Sequence, residues 1–444
     1  MDLCTRLRSK AVLHRAWDKV RSSGLKSDSQ NTKRLTLQFN DNWLNNLEGI
    51  RRRLKDGTFA FMGEKGITLP KGKSKKGVRP LVLAPIDNRV VRRGILEVLQ
   101  GYGDEANNPR HRWAGIPAVQ NIMATPTSIG GIRKRGVPHG LALIDQAVRA
   151  GNHWFVRSDI KNFFTRIPKA DVNDFIRDAV DDEEFAKLFE QALTTNLENQ
   201  EELEERHIFK LFPDPEIGVA QGSALSALAG NIVLRKFDAK MNERGILCVR
   251  YIDDFILLGP SESAVNAAYQ SARTMLKTMG MDIYELDDAE ARKDGKVDHG
   301  NIHNGTDVLG YRISGLSRQP CTAARKKFLG KLNKVVKDAN REMKAAAEGA
   351  SASHLRRYHQ SMVQLHSIVW GWSQAFRHTT AKHVFQELDK HIDKRINVLQ
   401  AEARRLIPRG DAHTRRRVMG VHLLADTQEH PLPEVSQSSL SSPP

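Results

Sequence analysis

Cysteine is scarce: Cys4, Cys248 and Cys321 are the three in 444 residues, they lie far apart, and none forms a CxxC pair. That spacing excludes a zinc ribbon or a disulfide framework and leads us to expect a reducing, cytoplasmic setting. No apolar run approaches the length of a bilayer span. The opening MDLCTRLRSKAVLHRAW is charged where a secretory leader would be apolar, so no membrane partner is expected. Acidic residues are in deficit: 52 Asp+Glu face 69 Lys+Arg, giving +17 and a pI of 9.8. A surplus of that size calls for a polyanionic partner, nucleic acid first. Internal repeats are lacking too. What is present, 40% hydrophobic and 27% charged residues, suits a globular protein. The length is too great for one core, so two or three subdomains are expected.

Along the chain, residues 3–55 read as basic helix. ITLPKGKSKKGVRPLVLAPIDNRVVRRGILEVL (67–99) reads as a strand, a Gly/Lys-rich turn, a second strand and a helix from about Asp87. Residues 101–140, rich in Gly, Pro and Asn, read as irregular. WFVRSDIKNFF (154–164) is a short apolar strand interrupted by one aspartate. Residues 170–212 look helical, and their acidic run ENQEELEER (198–206) is a solvated face without chemistry. GVAQGSALSALAGNIVLRKFDAKM (218–241) reads as a glycine turn feeding a helix whose first half is all small residues. A helix over 263–279 and a strand VLGYRI (308–313) follow. Beyond residue 325 the pattern is purely helical, and the Ser/Pro-rich EHPLPEVSQSSLSSPP (429–444) reads as disordered.

The chemistry centres on CVRYIDDFILLG (248–259), where Asp253 and Asp254 sit between two strand-forming runs. Asp-Asp is a common turn pair, which is one reading. The other is that a metal ion compensates carboxylates a buried sheet would otherwise exclude. Asp159 interrupts its strand pattern in the same way, as a strand-end cap or as a third carboxylate. Together the three offer a hard oxygen site of the kind Mg²⁺ takes, with water and substrate phosphates as its other ligands. Two such ions can activate a hydroxyl and neutralise leaving pyrophosphate in an in-line displacement.

The order RSDIKNFF, GVAQGSALSALAGNI, YIDD, VLGYRI resembles the palm motifs of reverse transcriptases, and LPKGKSKKGVRPLVLAPIDNRVV resembles the fingers motif of group II intron-like bacterial reverse transcriptases. The likeness runs over residues 67–316. It implies an α+β, right-hand polymerase fold: a basic helical N-terminal extension (1–60), fingers (61–150), a palm with an antiparallel sheet (151–315) carrying a helical insertion near 170–212, an all-helical thumb (316–407) and a basic, then disordered tail (408–444). Carried over position by position, Asp159 and Asp253 would hold two Mg²⁺ ions, with Mn²⁺ as the alternative. The Ile160 carbonyl would assist, and Asp254 would stand at the edge of the site. Arg79, with Lys71 or Lys73, would contact the triphosphate, where positive charge offsets the charge that builds up in phosphoryl transfer. A solvated basic turn is the plain alternative for those cations. Phe164 would be the steric gate beneath the sugar, or else core like Phe163. Gln221 and Gly222 would pack against nucleotide and template, or else form a helix start with a tight seam. Lys293 is the candidate general acid, with Arg292 or Lys296 able to serve instead. Leu309, Gly310 and Tyr311 would be the primer grip. WGWSQAFRH (370–378) reads as thumb core in preference to base stacking.

Where the intron enzymes carry prolines in the second palm motif this chain has Ala224 and Ala227, and their Gly-Phe-Phe-Asp is replaced by NFFT. The retron asparagine-alanine-histidine element and a Cys/His nuclease are also absent. These departures lead us to expect a solitary, defence-associated bacterial reverse transcriptase. Such an enzyme would copy a structured noncoding RNA into cDNA from deoxynucleotides. The rival expectations are a group II intron or retron enzyme and a catalytically silent RNA-binding scaffold.

Overall fold

The computed structural model describes residues 2–70, 78–103, 112–243, 245–349 and 357–421. The chain divides into two compact units, Met1–Leu309 and Gly310–Pro444.

The first unit opens with four helices, α1 (Leu3–Leu7), α2 (Lys10–Leu25), α3 (Gln30–Asp41) and α4 (Trp43–Lys55). Ser9 and Ser29 start α2 and α3 by accepting the amides of Val12 and Thr32, the usual way to satisfy a helix's first donors. The apolar stripe of α2, Val12, Leu13, Ala16, Trp17 and Val20, is buried. Next come β1 (Lys65–Pro70) and β2 (Val78–Leu83), an antiparallel hairpin, then the almost wholly buried α5 (Ile86–Gln100). A Cβ on Gly94 of α5 would lie 2.7 Å from Leu7 Cδ1, which explains a glycine inside that helix.

Residues 112–140, the larger described part of the stretch expected to be irregular, hold more helix than their composition implies. They hold α6 (Pro117–Ala124) and the start of α7 (Val137–Arg149). Both helices carry proline in the first turn, where no amide is needed, so proline marks a start here and not a break.

The central sheet is antiparallel in the order β4-β5-β3-β6, with β3 at Trp154–Asp159, β4 at Leu247–Tyr251, β5 at Asp254–Gly259 and β6 at Val297–Asn301. Helices α8 (Lys169–Ala179), α9 (Glu183–Leu193), α10 (Gln200–Glu205), α11 (Ser226–Val233) and α12 (Arg235–Asn242) separate β3 from β4. The acidic α10 is exposed apart from Leu203. Helix α13 (Glu262–Thr278) packs on β3 and β5 through Val265, Ala268, Tyr269, Ala272 and Leu276. The Tyr269 hydroxyl donates to Ser158 Oγ at 3.0 Å. A short α14 (Ala289–Lys293) precedes β6, and β7 (Thr306–Val308) closes the unit. The expected strand over 308–313 is broken: Leu309 and Gly310 both take positive φ, 54° and 82°.

The second unit is a β8–β9 hairpin (Tyr311–Ser314 and Ser317–Pro320) followed by α15 (Thr322–Ala347), α16 (Tyr358–Ala375), α17 (Lys382–Leu406) and α18 (Ala412–Met419). Leu332, Ala339 and Met343 of α15 share its core with Leu399 of α17. Trp372 stacks on Phe328 at 4.4 Å within that core, whereas Trp370 is 60% exposed. The helix-and-antiparallel-sheet composition is the α+β class expected. All three cysteines are buried thiols; burial pushes Cys4 up to about 12 and Cys248 further still.

Candidate active site at the double-aspartate turn

Strands β4 and β5 are joined by Ile252 and Asp253, with Tyr251 facing Asp254 across the ladder. Ile252 lies in the left-handed region, φ 64°. A β-branched residue there costs on the order of 1–3 kcal/mol and persists only when its surroundings hold it. Two features hold it. Gly130 and Gly131 leave room: a Cβ on Gly130 would sit 2.5 Å from the Ile252 amide nitrogen. From below, Arg250 Nη1 donates to the Ile252 carbonyl at 2.8 Å.

Arg250 is fully buried, so its charge must be met inside the protein. It donates to both oxygens of Asp238 on α12, at 2.7 and 2.5 Å. It also reaches Ser128 Oγ at 2.9 Å and Asn231 Oδ1 at 3.1 Å. Its backbone pairs with Thr127 and Ile129, which ties residues 127–129 to β4. The sequence reading missed Arg250, Asp238 and the Gly130-Gly131 pair. An arginine inside an otherwise apolar strand run was the signal available.

Asp159 ends β3 directly opposite Asp254 on β5, so the two carboxylates share one face. The Ile160 amide donates to the Asp253 carbonyl at 2.9 Å, which locks the strand end to the turn. Lys296 places its ammonium on Asp159 Oδ2, and Arg157 Nη1 lies 3.6 Å from Asp254 Oδ1. Asp253 is partly buried, and that burial raises its carboxyl above the ordinary range; its own backbone, Arg79 and Arg250 pull the other way. Arg79 is exposed on β2, and its charge reaches Asp253.

Phe163 is buried under Gly230, while Phe164 is half-buried beside it, ring centroids 5.4 Å apart. The Phe164 carbonyl accepts the Val219 amide at 2.7 Å, and the Gln221 carbonyl accepts the Val82 amide at 3.3 Å. One loop therefore joins Phe164, Gln221 and Gly222 to the strand that bears Arg79. Gly222 has φ 108°, a conformation that favours glycine.

Lys293 lies exposed at the end of α14; Lys296, three residues on, is the lysine at the carboxylates. Leu309 ends the first unit, while Gly310 and Tyr311 open the second, where Tyr311 is buried and its hydroxyl donates to the Ala375 carbonyl at 3.1 Å. Lys71 and Lys73 lie outside the described residues.

The donor set fits a hard divalent cation. Carboxylates facing each other across a ladder repel, and here lysine and arginine side chains stand beside them. Among the described residues no three acidic, His or Cys side chains converge into a closed metal cage. Mg²⁺ does not need one, since a pair of carboxylates with water and phosphate oxygens completes its shell.

Among solved structures the chain is similar to one in the partial Cas6-RT-Cas1–Cas2 complex, at 18% identity over 63% of this chain and 43% of that one, TM-score 0.32. It is similar to one in a Candida albicans telomerase complex with a telomeric RNA fragment, at 12% identity over 84% and 63%, TM-score 0.36. A third, apo telomerase from Candida tropicalis, has 13% identity over 59% and 55%, TM-score 0.37. The chain thus spans less than half the length of the first of these. No curated protein matches the sequence. Residues 69–285 match the model of the reverse transcriptase (RNA-dependent DNA polymerase) family. That stretch contains Arg79, Asp159, Phe164, Gln221, Gly222, Asp253 and Asp254, and with it the chain carries a reverse transcriptase domain.

Proposed function

We propose that the protein is an RNA-directed DNA polymerase that extends a primer with deoxynucleotides on an RNA template. The observation that carries this reading is the pairing of Asp159 with Asp254 at one end of the sheet, beside an Asp253 that feels the charge of Arg79. Asp159, Asp253 and the Ile160 carbonyl would hold two Mg²⁺ ions, Asp254 standing at the edge. Bound there, the metal would supply Lewis acidity to the attacking hydroxyl and to the pyrophosphate. Arg79, with Lys71 or Lys73, meets the triphosphate. Phe164 bars a 2′-hydroxyl, and Gln221 and Gly222 line the nucleotide. Lys296, in preference to Lys293, is the cation placed to protonate pyrophosphate. Leu309, Gly310 and Tyr311 grip the primer end. Residues 61–150 act as fingers, 151–315 as palm and 316–407 as thumb.

The template we propose is a dedicated structured noncoding RNA used in bacterial anti-phage defence. The +17 surplus and the alanines at 224 and 227, where intron enzymes have prolines, support that reading. The test uses full-length protein with transcripts of its native flanking DNA, Mg²⁺ and labelled deoxynucleotides, wild type against Asp253→Ala/Asp254→Ala. DNA made by the wild type alone is expected, and its sequence names the template. RNA retained by both proteins with DNA from neither would establish the silent scaffold instead.

A further inference from the structure

Between α13 and α14, residues 282–285 pass the end of β3 and are held from both sides. Ile283 bridges to Ile160, and the Lys161 amide donates to the Asp282 carbonyl at 2.8 Å. From α13, the Tyr269 hydroxyl donates to the Tyr284 carbonyl, and Arg273 Nη1 donates to Glu285 Oε2 at 2.7 Å. The main chain of Tyr284 is therefore fixed beside the residues that follow Asp159. Its side chain is half-buried, and two ammonium groups lie over the ring: Lys161 Nζ at 4.7 Å from the centroid and Lys296 Nζ at 6.0 Å. Both are within reach of the attraction between a cation and an aromatic face. Among the described residues the Tyr284 hydroxyl makes no hydrogen bond, so the ring face is the part in use.

Lys296 is bound to Asp159 twice. Its ammonium sits on Asp159 Oδ2, and its carbonyl accepts the Asp159 amide at 3.1 Å. Arg157 Nη2 braces the same loop by donating to the Gly295 carbonyl at 3.0 Å. A lysine carries its charge on a flexible four-carbon stem, so a fixed backbone does not by itself place the ammonium. An aromatic face on a fixed support does, and an aliphatic side chain of the same bulk would fill the space without the attraction.

We propose that Tyr284 is a positioning residue, whose ring seats the Lys296 ammonium at Asp159. The proposal rests on the polymerase reading above. In that reaction the primer hydroxyl oxygen bonds to the α-phosphorus, and the bond from that phosphorus to its bridging oxygen breaks. A proton of Lys296 goes to the departing oxygen, and the amine regains one from water. Tyr284 touches none of these atoms and acts through Lys296. The test is single-turnover incorporation by full-length protein on a primer–template duplex with Mg²⁺. The variants are Tyr284→Phe, Tyr284→Leu, Lys296→Ala and Tyr284→Leu/Lys296→Ala. The leucine variant should lose roughly tenfold in maximal rate, part of the hundredfold or so that a misplacement of about 1 Å can cost, with the KM for deoxynucleotide held within about twofold. Phenylalanine keeps the ring and should restore the rate to within about twofold. In the Lys296→Ala background the leucine substitution should add nothing. A further tenfold loss there, on the order of the single variant's, would show that the ring serves another group, Lys161 first, and overturn the proposal. A phenylalanine variant as slow as leucine would overturn it too. Denaturant unfolding without metal gives a readout independent of turnover. The double variant should be less destabilised than the two single effects combined, by roughly threefold in the unfolding constant. Additive effects sink the contact. Tyr284→Met replaces the leucine variant should that one fail to fold. A wild type that incorporates nothing sinks the polymerase reading, and the unfolding cycle then decides by itself whether the ring holds Lys296.

Discussion

At the scale of single residues, the site depends on a buried cation that touches no substrate. Arg250 holds the Ile252 carbonyl and so fixes the left-handed turn that presents Asp253. Removing it as Arg250→Met leaves Asp238 buried and unpaired, which should cost about 3–5 kcal/mol in denaturant unfolding. The double variant Arg250→Met/Asp238→Leu removes both charges and should recover much of that loss. Nucleotide incorporation should stay low in the double variant, because the clamp on Ile252 is still missing. Recovery of both together would show that Arg250 serves stability alone. Lysine positions separate in the same way. Lys296→Ala should slow incorporation by about 10²–10⁴, the usual contribution of a general acid, while Lys293→Ala leaves single-turnover rates near wild type. A reversed result would return the role to Lys293.

At the scale of elements, small residues at the start of α11 have a packing reason. A Cβ on Gly230 would sit 2.7 Å from Phe163 Cε1. Gly230→Ala should therefore destabilise by overpacking, about 1–3 kcal/mol, against the ~1 kcal/mol that alanine gains over glycine in a helix. Because Phe163 adjoins Phe164, the Michaelis constant for deoxynucleotide should rise as well; a lowered denaturation midpoint with unchanged kinetics would confine the effect to the core. The run of small residues at the start of this helix was legible in the sequence, but the partner that packs against Gly230 was not. Sequence spacing places Gly230 and Phe163 far apart, and folding brings them into contact. Within the Gly/Pro-rich 101–140 stretch, the helical segments at 117–124 and from 137 were missed for a related reason. Proline and glycine mark helix ends as readily as loops, and burial of Val119, Ile122 and Leu141 decides between them.

At the scale of the whole molecule, the surplus of basic residues has a measurable consequence. Affinity for a primer–template duplex should fall linearly in log–log form as salt rises, by about 0.9 for every phosphate neutralised. A slope near zero would remove nucleic acid as the partner of that charge. The two units carry different chemistry: the carboxylates and Arg79 belong to the first, while the second is a hairpin and four helices around its own core.

By itself the sequence determined the α+β class, the order of the motifs and the position of a double aspartate between two strands. Those are local or statistical properties, written in periodicity, turn residues and charge. Tertiary structure alone decided that Asp159 faces Asp254, that Lys296 and not Lys293 reaches them, and that a buried arginine braces the turn. It also made the N-terminal lysines Lys19 and Lys26 line one cavity with Gln221, across some two hundred residues of chain. The physical reason is that strand order and side-chain burial are set by how the whole apolar surface is packed away, and a linear pattern records which residues are buried more readily than what they are buried against.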